Sequence, residues 1–383
     1  MDCGRRLLEA AARIEGVHLT GGGVRDLLLG REPSELDVVV EGDVAALAAR
    51  LGDIDAAHKR FGTATVRTAE CRWDLAAARA EHYARPGALP DVRPASIEED
   101  LLRRDVTVNA FALDLGTGEL RAVAHARQDL AAGRLRVLHE ASFVDDPTRL
   151  WRIARYAARL GFELEPGTAA LAAQAVEGGA LETVSGARIG NELRLALREP
   201  DSPAALEVAV ALGLAPWLAP DRRRTAAALE LLPDGEGRAD LVVLAASLDP
   251  AAGDTDAILA ELAFTAAERA VLSACLQAGA LAAAAVAAGR PSELARVLGG
   301  VPVEALAIAG ADGAAAAVHR WLHELRSVGL AISGDDLIAA GIPQGPEVGR
   351  RLELTLDRRL DGELEAGREA ELLAALQATP PGS

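Results

Sequence analysis

The spacing of apolar and polar positions changes character along the chain. Up to about residue 120, short apolar runs of strand length alternate with short helical patterns; beyond Asp146 the pattern is helix after helix. Residues 17–20 (VHLT) suit a short strand. A glycine turn at 21–23 follows, then a short helix through Leu29 that Gly30 stops. Residues 36–41 (LDVVVE) read as a strand, and Val44 to Arg50 as a helix ended by Gly52. Residues 63–68 and 73–77 read as two strands paired across a short turn. Ser96-Ile97-Glu98-Glu99 has capping-box spacing and predicts a helix start. In the later part, Gly and Pro punctuate the helices near 161–168, 199–203, 233–237, 248–254, 289–292 and 341–346. No fixed-period repeat is present, and the helical part divides near 200 and near 325.

Composition sharpens this picture. A length of 383 residues suits two or three domains. Half the residues are apolar but only 3% are aromatic, so Leu, Val and Ala must fill the core. Alanine-rich stretches with few β-branched residues favour helix. The net charge of −17 is not the usual footprint of a nucleic-acid binder, so any such role needs a local basic surface. Lys59 is the sole lysine; arginine carries nearly all the positive charge. Cys3, Cys71 and Cys275 lack metal-type spacing, and so sparse a count points to a reducing compartment. The first residues lack the basic-then-apolar pattern of a signal segment. No apolar run is long enough to predict a membrane span; the alanine-rich run at 277–288 is too short.

Candidate chemistry begins at TGGGVRD, residues 20–26. Three glycines between a strand and a helix let backbone approach a phosphate, and Arg25 offers a fork of donors. A turn of this kind is also common as an ordinary strand–helix connection. Glu35 and Asp37 follow, two residues apart and so on one face of a strand. Neighbouring carboxylates repel unless a cation lies between them, and Mg²⁺ binds through such groups together with substrate phosphates. Asp74, on a separate strand, is the natural third carboxylate, or else a surface residue at a strand end. Arg149, Arg152, Arg155 and Arg159 form a stripe at steps of 3, 3 and 4, with Leu150, Ile153, Ala157 and Leu160 on the opposite side. Asp146 lies one turn before Arg149. A carboxylate beside a guanidinium pairs acceptors with donors, which matches the amine and ring nitrogen shared by cytosine and adenine.

TGGGVRDLLLGREPSELDVVVEGD resembles motif A of the class II tRNA nucleotidyltransferases, the CCA-adding enzymes and bacterial poly(A) polymerases. RRDVTVNAFALD at 103–114 resembles the ribose-recognition motif, and QDLAAGRLRVL at 128–138 the element linking head and neck. DDPTRLWRIARYAARLGF at 145–162 resembles the nucleobase-template motif, and SGARIGNEL at 185–193 the neck-helix motif. The motifs follow the family's order and reach across about half of the chain.

The resemblance implies an α+β protein, with a nucleotidyltransferase (polymerase-β-like) mixed-sheet head followed by an all-helical neck, body and tail. The expected divisions are 1–140, 141–200, 201–325 and 326–383. It implies addition of CMP and AMP from CTP and ATP to the 3′ end of tRNA, at the acceptor arm, with release of pyrophosphate in the cytoplasm and no membrane partner. A CC-adding or A-adding half-enzyme, a poly(A) polymerase and a non-catalytic RNA-binding relative are the alternatives. Glu35 and Asp37 would hold Mg²⁺, with Asp74 as a further catalytic carboxylate. Gly22 and Arg25 would hold the triphosphate. Arg104 would touch the nucleotide, Asp105 the ribose 2′-hydroxyl, Asp146 and Arg149 the base, and Arg152 and Arg155 base and phosphates. Asn109 would fix its turn, and Arg188, Asn191 and Glu192 would brace the template helix. The family usually carries Asp where this chain has Glu35, whose extra methylene moves the carboxylate by about a bond length, enough to slow a reaction. It often carries Glu where this chain has Ala187.

Outside these motifs, His319 and His323 are four apart on an expected helix, without an evident third metal ligand. Residues 334–349 suggest a helix, a Gly/Pro turn and a new helix, a plain hairpin or a phosphate contact, with Arg350, Arg351, Arg358 and Arg359 nearby. The segment between motifs A and B, including 79–95, is expected to help decide whether the enzyme switches from C to A.

Overall fold

The computed structural model describes residues 3–12, 14–33, 36–58 and 62–378, without the side chains of 56–58. Glu35 lies outside the described residues. The chain forms two compact units, 1–216 and 217–383.

The first unit is built on a seven-stranded mixed sheet. Its strands are β1 (Val17–Thr20), β2 (Asp37–Val40), β3 (Asp53–His58), β4 (Thr63–Arg67), β5 (Arg72–Ala77), β8 (Phe111–Asp114) and β9 (Leu120–Ala122), in the order β3-β4-β5-β2-β1-β8-β9. Only β2 and β5 pair in parallel; the other neighbours are antiparallel. A separate hairpin pairs β6 (Arg79–His82) with β7 (Asp91–Pro94). Strand alternation splits β2 between two cores. Val38 and Val40 join Leu19, Leu47, Leu51, Val66, Trp73, Leu75 and Phe111 on one face. Val39 packs on the other face with Ile97 and Leu101 of α4 (Ile97–Leu102). Asp37 therefore shares its face with Val39, away from the larger core.

Helix ends follow local chemistry. α1 is Cys3–Ala11, α2 is Gly22–Leu28, and α3 is Val44–Leu51, whose N-cap Asp43 accepts from Ala45 N at 2.9 Å. The capping box at Ser96 forms as the spacing predicts. After α5 (Ala126–Ala132) and α6 (Ser142–Asp145) comes α7, Thr148–Leu160, which buries Leu150, Trp151, Ile153, Ala154, Ala157 and Leu160. The helices α8 (Pro166–Glu177), α9 (Gly186–Ala196) and α10 (Ser202–Ala211) complete the unit.

Cys3 and Cys71 form a disulfide that ties α1 to the β4–β5 turn, with 5.6 Å between their Cα atoms. The sparse cysteine count, taken as a sign of a reducing compartment, did not reveal this pair. The two lie 68 residues apart and meet only through tertiary structure. Cys275 is a buried thiol.

The second unit is helical, from Arg222–Leu231 to Arg368–Gln377. Its helix Ala239–Ser247 is buried from Asp240 onward. Near its end, Ile332, Leu337, Val348 and Ala375 form a small core. Arg351 Nη1 donates to the carbonyls of Ala375 and Leu376 at the end of the last helix, and Arg359 pairs with buried Glu371. Two of the four arginines expected near 350–359 thus hold the fold together. The His319 and His323 rings lie 4.4 Å apart, and no metal-type cluster of three ligands occurs among the described residues. No single helix among them is long and apolar enough to cross a membrane.

Candidate active site

Two neighbouring cavities, of about 660 and 590 Å³, open beside the sheet and share Gly22, Asp37, Asn109, Arg152 and Tyr156. The larger is lined by Asp74, Arg104, Asp105, Asp146 and Arg149 as well, and the smaller by Arg25 and Arg155. Every described residue proposed for the site from sequence therefore lies on one cavity or both.

Parallel pairing of β2 and β5 sets Asp37 directly beside Asp74. Registered neighbours in a sheet project to the same face, so the two carboxylates stand side by side. Asp74 accepts from Thr65 Oγ1 at 2.7 Å and pairs with exposed Arg72 at 3.2 Å. Oxygen donors of this kind are what Mg²⁺ selects, and one or two carboxylates per ion are usual. Gly21, between β1 and α2, has φ 69° and ψ −137°, a left-handed conformation that glycine tolerates. A Cβ there would lie 2.8 Å from Arg104 Nη1 and 3.7 Å from Asp37 Oδ2. The backbone angle is what requires glycine here; a Cβ would also press on the Arg104 guanidinium, while Asp37 lies at ordinary contact distance. The sequence singled out Gly22; the stricter requirement falls on Gly21.

Arg25 is buried, and its guanidinium donates to Asp26 Oδ1 and, at 2.6 Å, to Asn109 Oδ1. Its fork is engaged with protein acceptors and anchors the turn at 105–109. Arg104 is held by Asp100, at 3.1 Å, and reaches the Asn109 carbonyl at 3.5 Å. Asp100 is fully buried and also binds Arg103 and the Arg79 amide. Its spacing of three and four from the two arginines that follow α4 was the one sequence signal for this anchor.

Asp105 sits at the hub of the site. Its Oδ1 accepts from Val106 N at 2.9 Å and Asn109 Nδ2 at 3.3 Å. Its Oδ2 accepts from Tyr156 Oη at 2.8 Å and forms an ion pair with Arg152 Nη2 at the same distance. Burial works to raise the carboxyl's pKa, but Arg152, Tyr156 and Asn109 outweigh it and hold it at about 2. Asp105 in turn keeps the Arg152 guanidinium protonated far above neutrality.

Helix α7 is braced from behind. Arg149 is buried, donating to Ser142 Oγ and to the Arg103 carbonyl, each at 2.8 Å. Arg155 binds Glu192 at 2.9 Å and Glu199 at 3.0 Å, and Arg159 also binds Glu199. Burial pushes the Glu192 carboxyl upward. Asp146, just before α7, accepts on Oδ1 from Thr148 and from Arg188 Nη2 at 2.9 Å. Arg188 Nη1 also donates to the Gly87 carbonyl at 2.7 Å. Gly87 is the tip of the β6–β7 hairpin, and a Cβ there would collide with Thr183. Segment 79–95 is thereby joined through Arg188 to the carboxylate expected to read the base. Asn191 is exposed. Glu81, Tyr83, Tyr156 and Glu199 were not read from sequence. Only Tyr156, four residues after Arg152 on one helix face, carried a spacing signal.

A pair of carboxylates beside an arginine-lined cleft suits phosphoryl or nucleotidyl transfer, where charge stabilisation and positioning do most of the work. The Poly A polymerase head domain family matches residues 17–136. The A-adding tRNA nucleotidyltransferase of Geobacter sulfurreducens is 34% identical over 94% of this chain and 45% of its own length. The CC-adding enzyme of Deinococcus radiodurans is 43% identical over 48% of this chain and 50% of its own length. The chain spans about half the length of the curated relatives it matches. Among solved structures, a CCA-adding enzyme in apo form superposes with a TM-score of 0.81, at 27% identity over 98% of this chain and 96% of that one. The Thermotoga maritima CCA-adding enzyme, complexed with tRNA, gives 0.74 at 27% identity over 98% and 99%. Motif order, head-domain match and near-complete structural coverage agree, and the chain belongs to the tRNA nucleotidyltransferase and poly(A) polymerase family.

Proposed function

We infer that the chain adds CMP and AMP to the 3′ end of tRNA, taking CTP and ATP and releasing pyrophosphate. One observation carries this reading: Asp37 and Asp74 stand in register beside a cleft whose other wall bears Asp146, Arg149 and Arg152. The expected head, neck, body and tail at 1–140, 141–200, 201–325 and 326–383 supply the frame, with RNA contacted in body and tail through phosphates and shape.

In this reading Asp37 and Asp74, with Glu35, hold Mg²⁺. The ion supplies Lewis-acid polarisation and charge neutralisation at the reacting phosphate. The RNA 3′-hydroxyl attacks the α-phosphate, and the bond to pyrophosphate breaks. The Gly21–Gly22 turn lets the triphosphate approach the backbone. Arg25 keeps that turn and the ribose motif in place, and Arg152 and Arg155 provide positive charge beside the phosphates. Asp105 and Arg104 address the sugar. Asp146 accepts from the exocyclic amine and Arg149 donates to the ring nitrogen, a pattern that cytosine and adenine share. The proposed substrates, tRNA with CTP and ATP, support a cytoplasmic setting for this reading.

A second reading, addition of AMP alone to tRNA already ending in CC, is favoured by the Geobacter relative, which aligns with 94% of this chain. The deciding experiment offers Mg²⁺ with CTP, ATP or both to tRNA lacking its last one, two or three nucleotides. Complete repair of all three substrates supports CCA addition. Extension only of tRNA ending in CC, and only by A, replaces it with the second reading. No extension of any substrate overturns both.

A further inference from the structure

Asp105 leaves a ribose hydroxyl no uncrowded acceptor. A carboxylate oxygen offers about two lone-pair sites. On Oδ1 these are taken by Val106 N and Asn109 Nδ2; Oδ2 accepts from Tyr156 Oη, and Arg152 Nη2 stands against the same oxygen at 2.8 Å as an ion pair. If Asp105 reads the 2′-hydroxyl, one of these four neighbours must give way. The backbone amide and the asparagine belong to the turn that Arg25 anchors through Asn109. Arg152 carries a charge, and separating it from a buried carboxylate is costly. Tyr156 is the neutral partner, and its side chain reaches both cavities. Its oxygen also lies 3.4 Å from Arg152 Nη2, so it keeps a donor when it releases the carboxylate.

We propose that the Tyr156 hydroxyl stands in for the ribose 2′-hydroxyl on Asp105 Oδ2 and is exchanged for it when a ribonucleotide binds, which makes Tyr156 a residue that sets the ribo-over-deoxy preference. The proposal rests on the reading of Asp105 given above. With a deoxynucleotide, the tyrosine stays on the carboxylate and nothing is lost. With a ribonucleotide, one hydrogen bond to Oδ2 replaces another, so the net gain is small. The tyrosine thus lessens discrimination while keeping the buried carboxylate satisfied in the empty site. Removing its hydroxyl leaves Oδ2 short of a donor until a 2′-hydroxyl arrives, and the preference for ribonucleotides grows.

The test is calorimetric titration of the full chain in Mg²⁺, without RNA, with CTP against dCTP and ATP against dATP. Tyr156→Phe keeps the ring and removes only the hydroxyl. In each pair that binds, the deoxy-to-ribo ratio of dissociation constants is expected to rise about fivefold, the scale of one hydrogen bond. The rise should come mainly from tighter ribonucleotide binding. In an Asp105→Asn background the same Tyr156→Phe change should leave the ratio unaltered. A ratio that is unchanged or falls in Tyr156→Phe overturns the proposal, as does an equal rise in both backgrounds. Absence of nucleotide binding by the unaltered chain also overturns it. Nucleotide binding with the expected ratios but no extension of tRNA would instead sink the proposed activity and leave the exchange standing.

Discussion

On the sheet side of the cleft, Asp37 opens β2 and Asp74 lies inside β5; Asp74 meets a threonine and an arginine that is itself 59% exposed. On the helix side, Arg149 is buried and Arg155 largely so, and each is gripped by acceptors from other elements. The sheet side relies on backbone register to bring carboxylates together. The helix side relies on side-chain networks already formed before any nucleotide arrives. A cation must find carboxylates whose other partners are weak enough to give up, whereas reading a base requires donors and acceptors already held in place. Altering the sheet side should therefore damage chemistry with little effect on folding, and altering the helix side should damage folding first.

The largest expected effect is Asp37→Asn. It keeps the shape and removes one charge from the pair in register with Asp74. Loss of several kcal/mol of charge stabilisation should slow nucleotide addition by roughly a thousandfold or more. Urea unfolding should change by no more than about 1 kcal/mol. A rate within tenfold of the parent would remove Asp37 from the chemistry. Next comes Arg155→Met on the helix side, which leaves Glu192 and Glu199 facing a thioether. Breaking a buried ion pair from one side should cost about 3 kcal/mol in urea unfolding. A loss below about 1 kcal/mol would mean that Arg159 alone satisfies Glu199, and the contrast between the two walls would weaken.

The same contrast governs what the sequence made legible. Local patterns were readable: the β1 turn into α2, the β4–β5 pair, the Ser96 capping box, and the opposed arginine and leucine faces of α7. The edge strands β3 and β9 and the β6–β7 hairpin were not, because three to six residues with few large apolar side chains carry little periodic signal. Asp74 was a candidate on chemistry, but only the parallel β2–β5 register sets it beside Asp37. Glu199 meets Arg155 across 44 residues, and no spacing rule reaches that far. Arg25 was read as a ligand for triphosphate; its engagement with Asn109, 84 residues away, shows in the fold alone.

The hub residue Asp105 gives a pH-dependent test of the helix side. Its carboxyl is held at about 2, against an ordinary 3.8. The folded state thus favours the ionised form. The resulting stability is present in full above about pH 4 and is lost as pH falls through about 2, a contribution of about 2 kcal/mol. Asp105→Asn should flatten that acid limb when urea midpoints are compared between pH 6 and pH 3. An unaltered acid limb in the variant would show that other carboxylates govern it.

The smallest expected effect returns to the sheet side. Arg72 and Asp74 form an ion pair on an exposed strand end, with 59% and 42% of their side chains accessible. Solvent-exposed pairs of this kind contribute less than about 1 kcal/mol, and salt screens them. Arg72→Ala should leave urea unfolding within about 0.5 kcal/mol of the parent. The guanidinium nevertheless competes with a cation for Asp74, so its removal should lower the Mg²⁺ concentration at which nucleotide addition is half-maximal by roughly twofold, most clearly at low salt. Maximal rate at saturating Mg²⁺ should not change. A higher Mg²⁺ requirement in the variant would mean that Arg72 orients Asp74 rather than competing for it, and the sheet side would then share the preorganised character of the helix side.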